Sequence, residues 1–153
     1  MVIKKIISGG QTGADQAALD VAITLNIPHG GWIPKGRQTE DGPLPDKYQL
    51  HEMPTSSYPR RTEQNIVSSD GTVILSHGNL TGGSALTRKL AKKHSKPWVH
   101  VDLDKVSLSE AVEIIRTWVE TNKIEVLNVA GPRASKDPEI YGKTLNILRR
   151  MLT

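Results

Sequence analysis

The stretch Ile6-Ile7-Ser8-Gly9-Gly10-Gln11-Thr12-Gly13-Ala14-Asp15 decides the fold. Before it, residues 2–7 form a short run rich in β-branched side chains that ends at the glycines. After it, Ala18, Leu19, Ala22, Ile23 and Leu25 recur at helical spacing, which predicts a helix over residues 14–25. The segment therefore reads as strand, tight turn, helix. The same order returns along the chain. Residues 30–33 read as a second short strand, 72–75 as a buried strand, 98–101 as a fourth and 125–129 as the last. Between them lie predicted helices at 62–69, from a Thr81 cap to about 94, and after a capping-box pair, Ser107 and Glu110. A final helix starts at Asp137 and Pro138, with Ile140, Leu145, Leu148 and Met151 on its apolar side. Strands alternating with helices predict an α/β protein, Rossmann-like and doubly wound, with a mainly parallel sheet and helices on both faces. Residues 1–153 read as a single domain. The stretch at about 34–61 is rich in proline, glycine and charge, and reads as a long loop or small hairpin arm, the arm at 48–53.

Composition narrows the function. The chain has 153 residues, enough for one core. Hydrophobic residues make up 37 % and charged residues 24 %, which excludes a disordered chain. Cysteine is absent, so disulfides, thiolate metal sites and cysteine nucleophiles are all excluded. No apolar run approaches the ~20 residues of a membrane span. The first residues lack the apolar stretch of a secretory signal, so the expectation is a cytoplasmic protein with no membrane partner. The net charge of +4 favours anionic partners.

In open parallel sheets, ligands bind beyond the C-terminal ends of the strands. Three glycine-rich stretches stand there. The first, Gly9, Gly10, Gln11, Thr12, Gly13 and Asp15, opens the first helix, where backbone N–H groups around 10–14 are expected to face an anion. It lacks the dinucleotide fingerprint, because Ser8 takes the first glycine position, and it lacks a P-loop lysine. The second, Thr81, Gly82, Gly83 and Ser84, opens another helix and offers the same N–H donors. The third ends in Gly131-Pro132-Arg133-Ala134-Ser135, with Arg133 suited to gripping phosphate or carboxylate. Arg60 and Arg61, with Glu63 and Asn65, close the long loop and complete the candidate pocket. Lys35 and Arg37 on that loop are placed to close over a ligand. His100, Asp102 and Asp104 alternate, but match no named metal pattern. Lys89, Lys92, Lys93 and Lys96 lack the interleaved aromatic residues that stack on bases, which argues against nucleic acid.

Four motifs in this order, Gly9-Gly10-Gln11-Thr12-Gly13-Ala14-Asp15, Arg61-Thr62-Glu63-Gln64-Asn65, Thr81-Gly82-Gly83-Ser84 and Asn128-Val129-Ala130-Gly131-Pro132-Arg133, resemble those of the molybdenum carrier family. That family includes molybdenum-cofactor carrier proteins. The resemblance implies a Rossmann-like fold in the wider group of the cytokinin-activating phosphoribohydrolases and a DNA-processing protein. It also implies a homo-oligomer, often a tetramer, and molybdenum cofactor (molybdopterin) as the anionic ligand, met by the glycine loops and by Arg133 and Arg61. The related phosphoribohydrolases carry P-G-G-x-G-T-x-x-E, whose Glu takes part in catalysis. Here Lys89 stands at that place, which argues against hydrolysis by that route. The expectation is a binding protein, carrier or storage, for a phosphate-bearing small molecule. Molybdenum cofactor comes first; a nucleotide such as ATP or AMP, bound or processed by a phosphoribohydrolase-like enzyme, is the alternative.

Overall fold

β1 (Lys5–Ile7) runs into α1 (Ala14–Thr24) through the glycine turn. The computed structural model covers residues 1–153. The predicted strand at 30–33 is two strands, β2 (His29–Gly30) and β3 (Trp32–Ile33). Gly31 separates them at φ 124°, a conformation that favours glycine, and its missing Cβ makes room for the Ser8 carbonyl. β2 stays beside β1, while β3 turns away to a second, smaller layer.

The long segment is ordered. β4 (Gln38–Thr39) and β5 (Gly42–Pro43) form an antiparallel hairpin, closed by Thr39 Oγ1 donating to the Gly42 carbonyl at 2.7 Å. The hairpin thus lies at 38–43 and not at 48–53. Within the latter stretch β6 (His51–Glu52) instead pairs in parallel with β3. Tertiary pairing overrides the local turn signal there. Leu19, Ile33, Leu44, Tyr48 and Leu50 form a separate buried cluster beneath this arm.

α2 (Tyr58–Val67) begins four residues before the predicted start. Ser57 Oγ accepts the Arg60 N–H at 3.3 Å, and Pro59 suits the first turn. β7 (Gly71–Ser76), α3 (Gly82–Lys93), β8 (Trp98–Asp102), α4 (Leu108–Asn122), β9 (Val126–Ala130) and α5 (Ile140–Leu152) follow. The capping box of α4 is complete, with Ser107 and Glu110 exchanging hydrogen bonds of 3.1 Å each. α5 starts later than residue 138. Asp137 caps the turn ahead of it, accepting the Glu139 N–H at 3.1 Å.

The main sheet has five parallel strands in the order β2-β1-β9-β7-β8. The last strand of the chain, β9, is the middle of the sheet. α1, α4 and α5 cover one face, with a core that includes Ile6, Val73, Leu75, Val101, Leu127 and Val129 from the strands. α2 and α3 cover the other face, which holds the buried polar side chains Thr72, Ser76 and Asn128, while Ser8 lies at the end of β1 against α1. Asn128 Nδ2 donates to Thr72 Oγ1 at 3.1 Å, and Ser8 Oγ to the Asp15 carbonyl at 2.9 Å. Ser76 Oγ donates to the Gly78 carbonyl at 2.7 Å, so the polar side chains on this face keep partners. The chain leaves β1 toward β2 and leaves β7 toward β8. A crevice therefore opens between the C-terminal ends of β1, β9 and β7, where the winding reverses. No helix is long and apolar enough to cross a membrane.

Candidate functional site

That crevice is a cavity of about 740 Å³, within the range of small-molecule sites. Of its 29 lining residues only five are hydrophobic. Gly9, Gln11, Asp15, Arg61, Asn65, Thr81, Gly82, Gly83, Ser84 and Arg133 line it, as do Tyr58, His77, Lys136 and Asp137. Gly10, Thr12, Gly13, Arg60, Glu63 and Ser135 do not.

The cavity has two unlike ends. At one end stands the N-terminus of α3. Thr81 occupies the cap position without a side-chain hydrogen bond, and the N–H groups of Gly82 and Gly83 have no acceptor in the protein. A Cβ on Gly83 would meet nothing within 4 Å, so the backbone there is open to a ligand. Lys136 Nζ would lie 3.2 Å from a Cβ on Gly82, which places an ammonium beside the helix N-terminus. Free N–H groups, the helix dipole and a cation together suit an anionic oxygen.

The N-terminus of α1 is different, and the expectation of an anion nest at residues 10–14 is corrected here. The N–H of Gln11 donates to Asp15 Oδ2 at 3.2 Å, that of Thr12 to Gln11 Oε1 at 3.0 Å, and that of Ala14 to the Pro132 carbonyl at 3.4 Å. Gly10 donates to Ser8 Oγ at 3.4 Å. Internal acceptors thus occupy four of the five N–H donors at residues 10–14, those of Gly10, Gln11, Thr12 and Ala14. Gly10 faces the small core: a Cβ there would lie 3.1 Å from Ile33, Leu44 and Leu50. A Cβ on Gly13 would lie 2.5 Å from the Pro132 carbonyl oxygen. Both glycines serve close packing, and of the three only Gly9 opens to the cavity.

The other end of the cavity holds Asp15 and Arg61, side by side over Gly9. A Cβ on Gly9 would lie 2.7 Å from Arg61 Cζ and 2.9 Å from Asp15 Oδ2. Both side chains are buried. Burial pushes the Asp15 carboxyl up to about 6, and the Arg61 guanidinium limits that rise. Arg61 Nη1 donates to the Gly9 carbonyl at 2.6 Å, and Tyr58 packs its ring 5.4 Å from the guanidinium. Asn65 grips the backbone of Trp32 from both sides, accepting its N–H at 2.8 Å and donating to its carbonyl at 3.1 Å. Its amide therefore holds β3 against α2.

The remaining expected residues have structural partners. Glu63 binds His94 Nε2 at 2.8 Å and Lys93 Nζ at 3.1 Å, tying α2 to α3, and the bond from His94 holds its carboxyl below the usual range. Arg60 is exposed on α2. Thr12 and Ser135 both donate their hydroxyls to Glu40. Arg37 is not available to close over a ligand, because it donates to the carbonyls of Leu44, Pro45 and Tyr48 at 3.2, 3.0 and 2.7 Å. His100 Nε2 lies 2.7 Å from Ser76 Oγ, and Asp102 Oδ1 accepts the N–H groups of Gly78 and Asp104 at 2.8 and 3.0 Å. No three His, Asp or Glu side chains converge as metal ligands.

Sequence reading missed His77. Its Nδ1 lies 2.5 Å from Asp137 Oδ2, and its Nε2 lies 2.9 Å from Lys143 Nζ. A lysine ammonium can only donate, so Nε2 is the acceptor and Nδ1–H is given to Asp137. This chain ties the β7 loop to Asp137, before α5, and to Lys143 on α5 itself. Its members are 60 and 66 residues apart, and no local pattern links them.

Residues 6–152 match the circularly permutated YpsA SLOG family. The chain belongs to this family. The match spans every strand of the sheet from Ile6 onward and all five helices, so the SLOG family fold includes the crevice described above. The crystal structure at 1.45 Å resolution of a protein described as "Putative molybdenum carrier protein", from Syntrophus aciditrophicus SB, is similar throughout. It is 57 % identical, covers 99 % of this chain and 96 % of its own, and superposes with a TM-score of 0.98. Comparison with curated proteins gives no match.

Proposed function

We propose that this SLOG family member is a binding protein for a phosphate-bearing small molecule, with molybdenum cofactor as the ligand and carriage or storage as the role. The observation that carries the reading is the 57 % identity, over 99 % of this chain, with a protein described as a putative molybdenum carrier. The geometry fits such a ligand. Gly82 and Gly83 N–H, with Lys136 beside them, form an end for an anionic group, and Arg133 lines the same cavity. Asp15 and Tyr58 form an end with a polar edge and one aromatic face for a flat ring. Lys89 is exposed and does not line the cavity, so that turn of α3 brings no carboxylate to a ligand. The reading requires binding and no bond breaking.

A thermal-shift panel tests it, with the stable oxidised pterin phosphate of the cofactor, ATP, AMP, molybdate and inorganic phosphate. The pterin phosphate at 100 times its dissociation constant stabilises the fold by about 2.7 kcal/mol, a rise of several degrees for a domain of this size. A shift with ATP or AMP and none with the pterin species overturns the choice of ligand.

A further inference from the structure

Arg133 is an exposed arginine on a loop, yet its orientation is constrained. Its Nε lies 3.2 Å from Ser135 Oγ and 3.3 Å from Glu40 Oε1, while its two Nη groups make no hydrogen bond in the protein. Glu40 is the centre of this arrangement. Its carboxylate accepts the hydroxyls of Thr12 and Ser135, the latter at 2.5 Å, and the Ser135 N–H at 3.1 Å. Its own N–H donates to Gln11 Oε1 at 2.9 Å. One residue thus holds two side chains that line the cavity, Gln11 and Arg133, from the side away from it.

Glu40 is itself held. It sits at the tip of the β4–β5 hairpin, where Thr39 Oγ1 bonds the Gly42 carbonyl and accepts the Asp41 N–H at 3.1 Å. Arg37, one residue before that hairpin, is fastened to three carbonyls. The arm therefore presents the carboxylate on a fixed frame across the loops after β1 and β9. A carboxylate near an anion site normally weakens binding through like charge. Holding a guanidinium in place, with its rotamers already restricted, strengthens it.

We infer that Glu40 is a positioning residue for the candidate site: it fixes Arg133 by Nε, leaving both Nη groups to meet the anionic group of the ligand, and it fixes Gln11 beside it. The inference rests on the binding reading above only for the ligand. The sign of the effect tests it. Glu40→Ala weakens binding of the oxidised pterin phosphate or of inorganic phosphate at least tenfold, although it removes a negative charge. Glu40→Gln, which keeps one acceptor oxygen, loses less. A residue acting only through its charge gives the opposite sign. A second measurement needs no ligand. In 1H–15N spectra the Arg133 Nε–H signal and the Ser135 amide are distinct and slow to exchange, and in Glu40→Ala both move to the positions of unrestrained groups while the remaining spectrum keeps its dispersion. Equal or tighter binding by Glu40→Ala, or an unmoved Arg133 Nε–H signal, overturns the inference. If the parent protein binds neither probe, the binding reading fails, and the Nε–H signal alone still decides the role of Glu40.

Discussion

Asp15 joins the sequence to the chemistry of the cavity. As the second residue of α1 it is a first-turn carboxylate, which the helix dipole favours. Burial outweighs that and places its ionisation at about 6, against an ordinary 3.8. The folded protein thus holds a proton that the unfolded chain has released between those values. Stability from this group is complete below about 4 and is lost as pH rises through 6, by roughly 3 kcal/mol for two units. Carboxyl NMR of Asp15 should show a midpoint near 6, and Arg61→Ala should move it higher, because the guanidinium now lowers it. A midpoint in the ordinary carboxylate range contradicts the burial described here. Asp15 and Arg61 were each legible as site candidates from their motifs, but not as neighbours, because 45 residues separate them. Glu40 was not. It carries no motif, and its partners lie 28 and 95 residues away.

Among the elements, the 34–57 arm depends on a carboxylate on α1. Asp20 accepts the hydroxyl of Tyr48 at 2.6 Å from the arm and that of Tyr141 at 2.5 Å from α5. Burial, with the Asp20 carboxylate beside it, pushes the Tyr141 hydroxyl up to about 12. Hydrogen bonds to a charged group contribute about 1.5–3 kcal/mol each. Asp20→Ala should therefore lower unfolding stability in urea by about 3 kcal/mol and expose the arm to proteolysis before the sheet. Unchanged stability contradicts a carboxylate that fastens three elements. The helices α1 and α3 were readable within a residue or so, and α4 at its start, because apolar spacing and caps are local signals. The arm was not, because β3 and β6 pair across 17 intervening residues and its small core includes Leu19 from a helix. The two glycine loops also read alike in sequence. They separate only once Asp15, Gln11 and the Pro132 carbonyl are seen to fill one nest and leave the other open.

For the whole molecule, sheet order sets the site. β9 enters between β1 and β7, so three loops from distant parts of the chain meet at one edge. Alternation in the sequence implied a parallel sheet with that edge, but did not reveal that the last strand is central. On the proposed function, this edge binds a phosphate-bearing ligand at the N-terminus of α3. Gly83 offers a direct test, since a side chain there meets nothing within 4 Å and the fold tolerates it. Gly10→Asp is a poor probe by comparison, because Gly10 has φ 75° and packs on the small core. The measurement is a titration of the oxidised pterin phosphate against the parent protein and Gly83→Asp, with thermal unfolding of both as the control for folding. Saturable binding is expected for the parent, and a loss of at least tenfold for Gly83→Asp at an unfolding temperature no lower than the parent's, since a first-turn carboxylate suits the helix dipole. Equal affinities in the two proteins, or no binding by the parent, would contradict the proposed function.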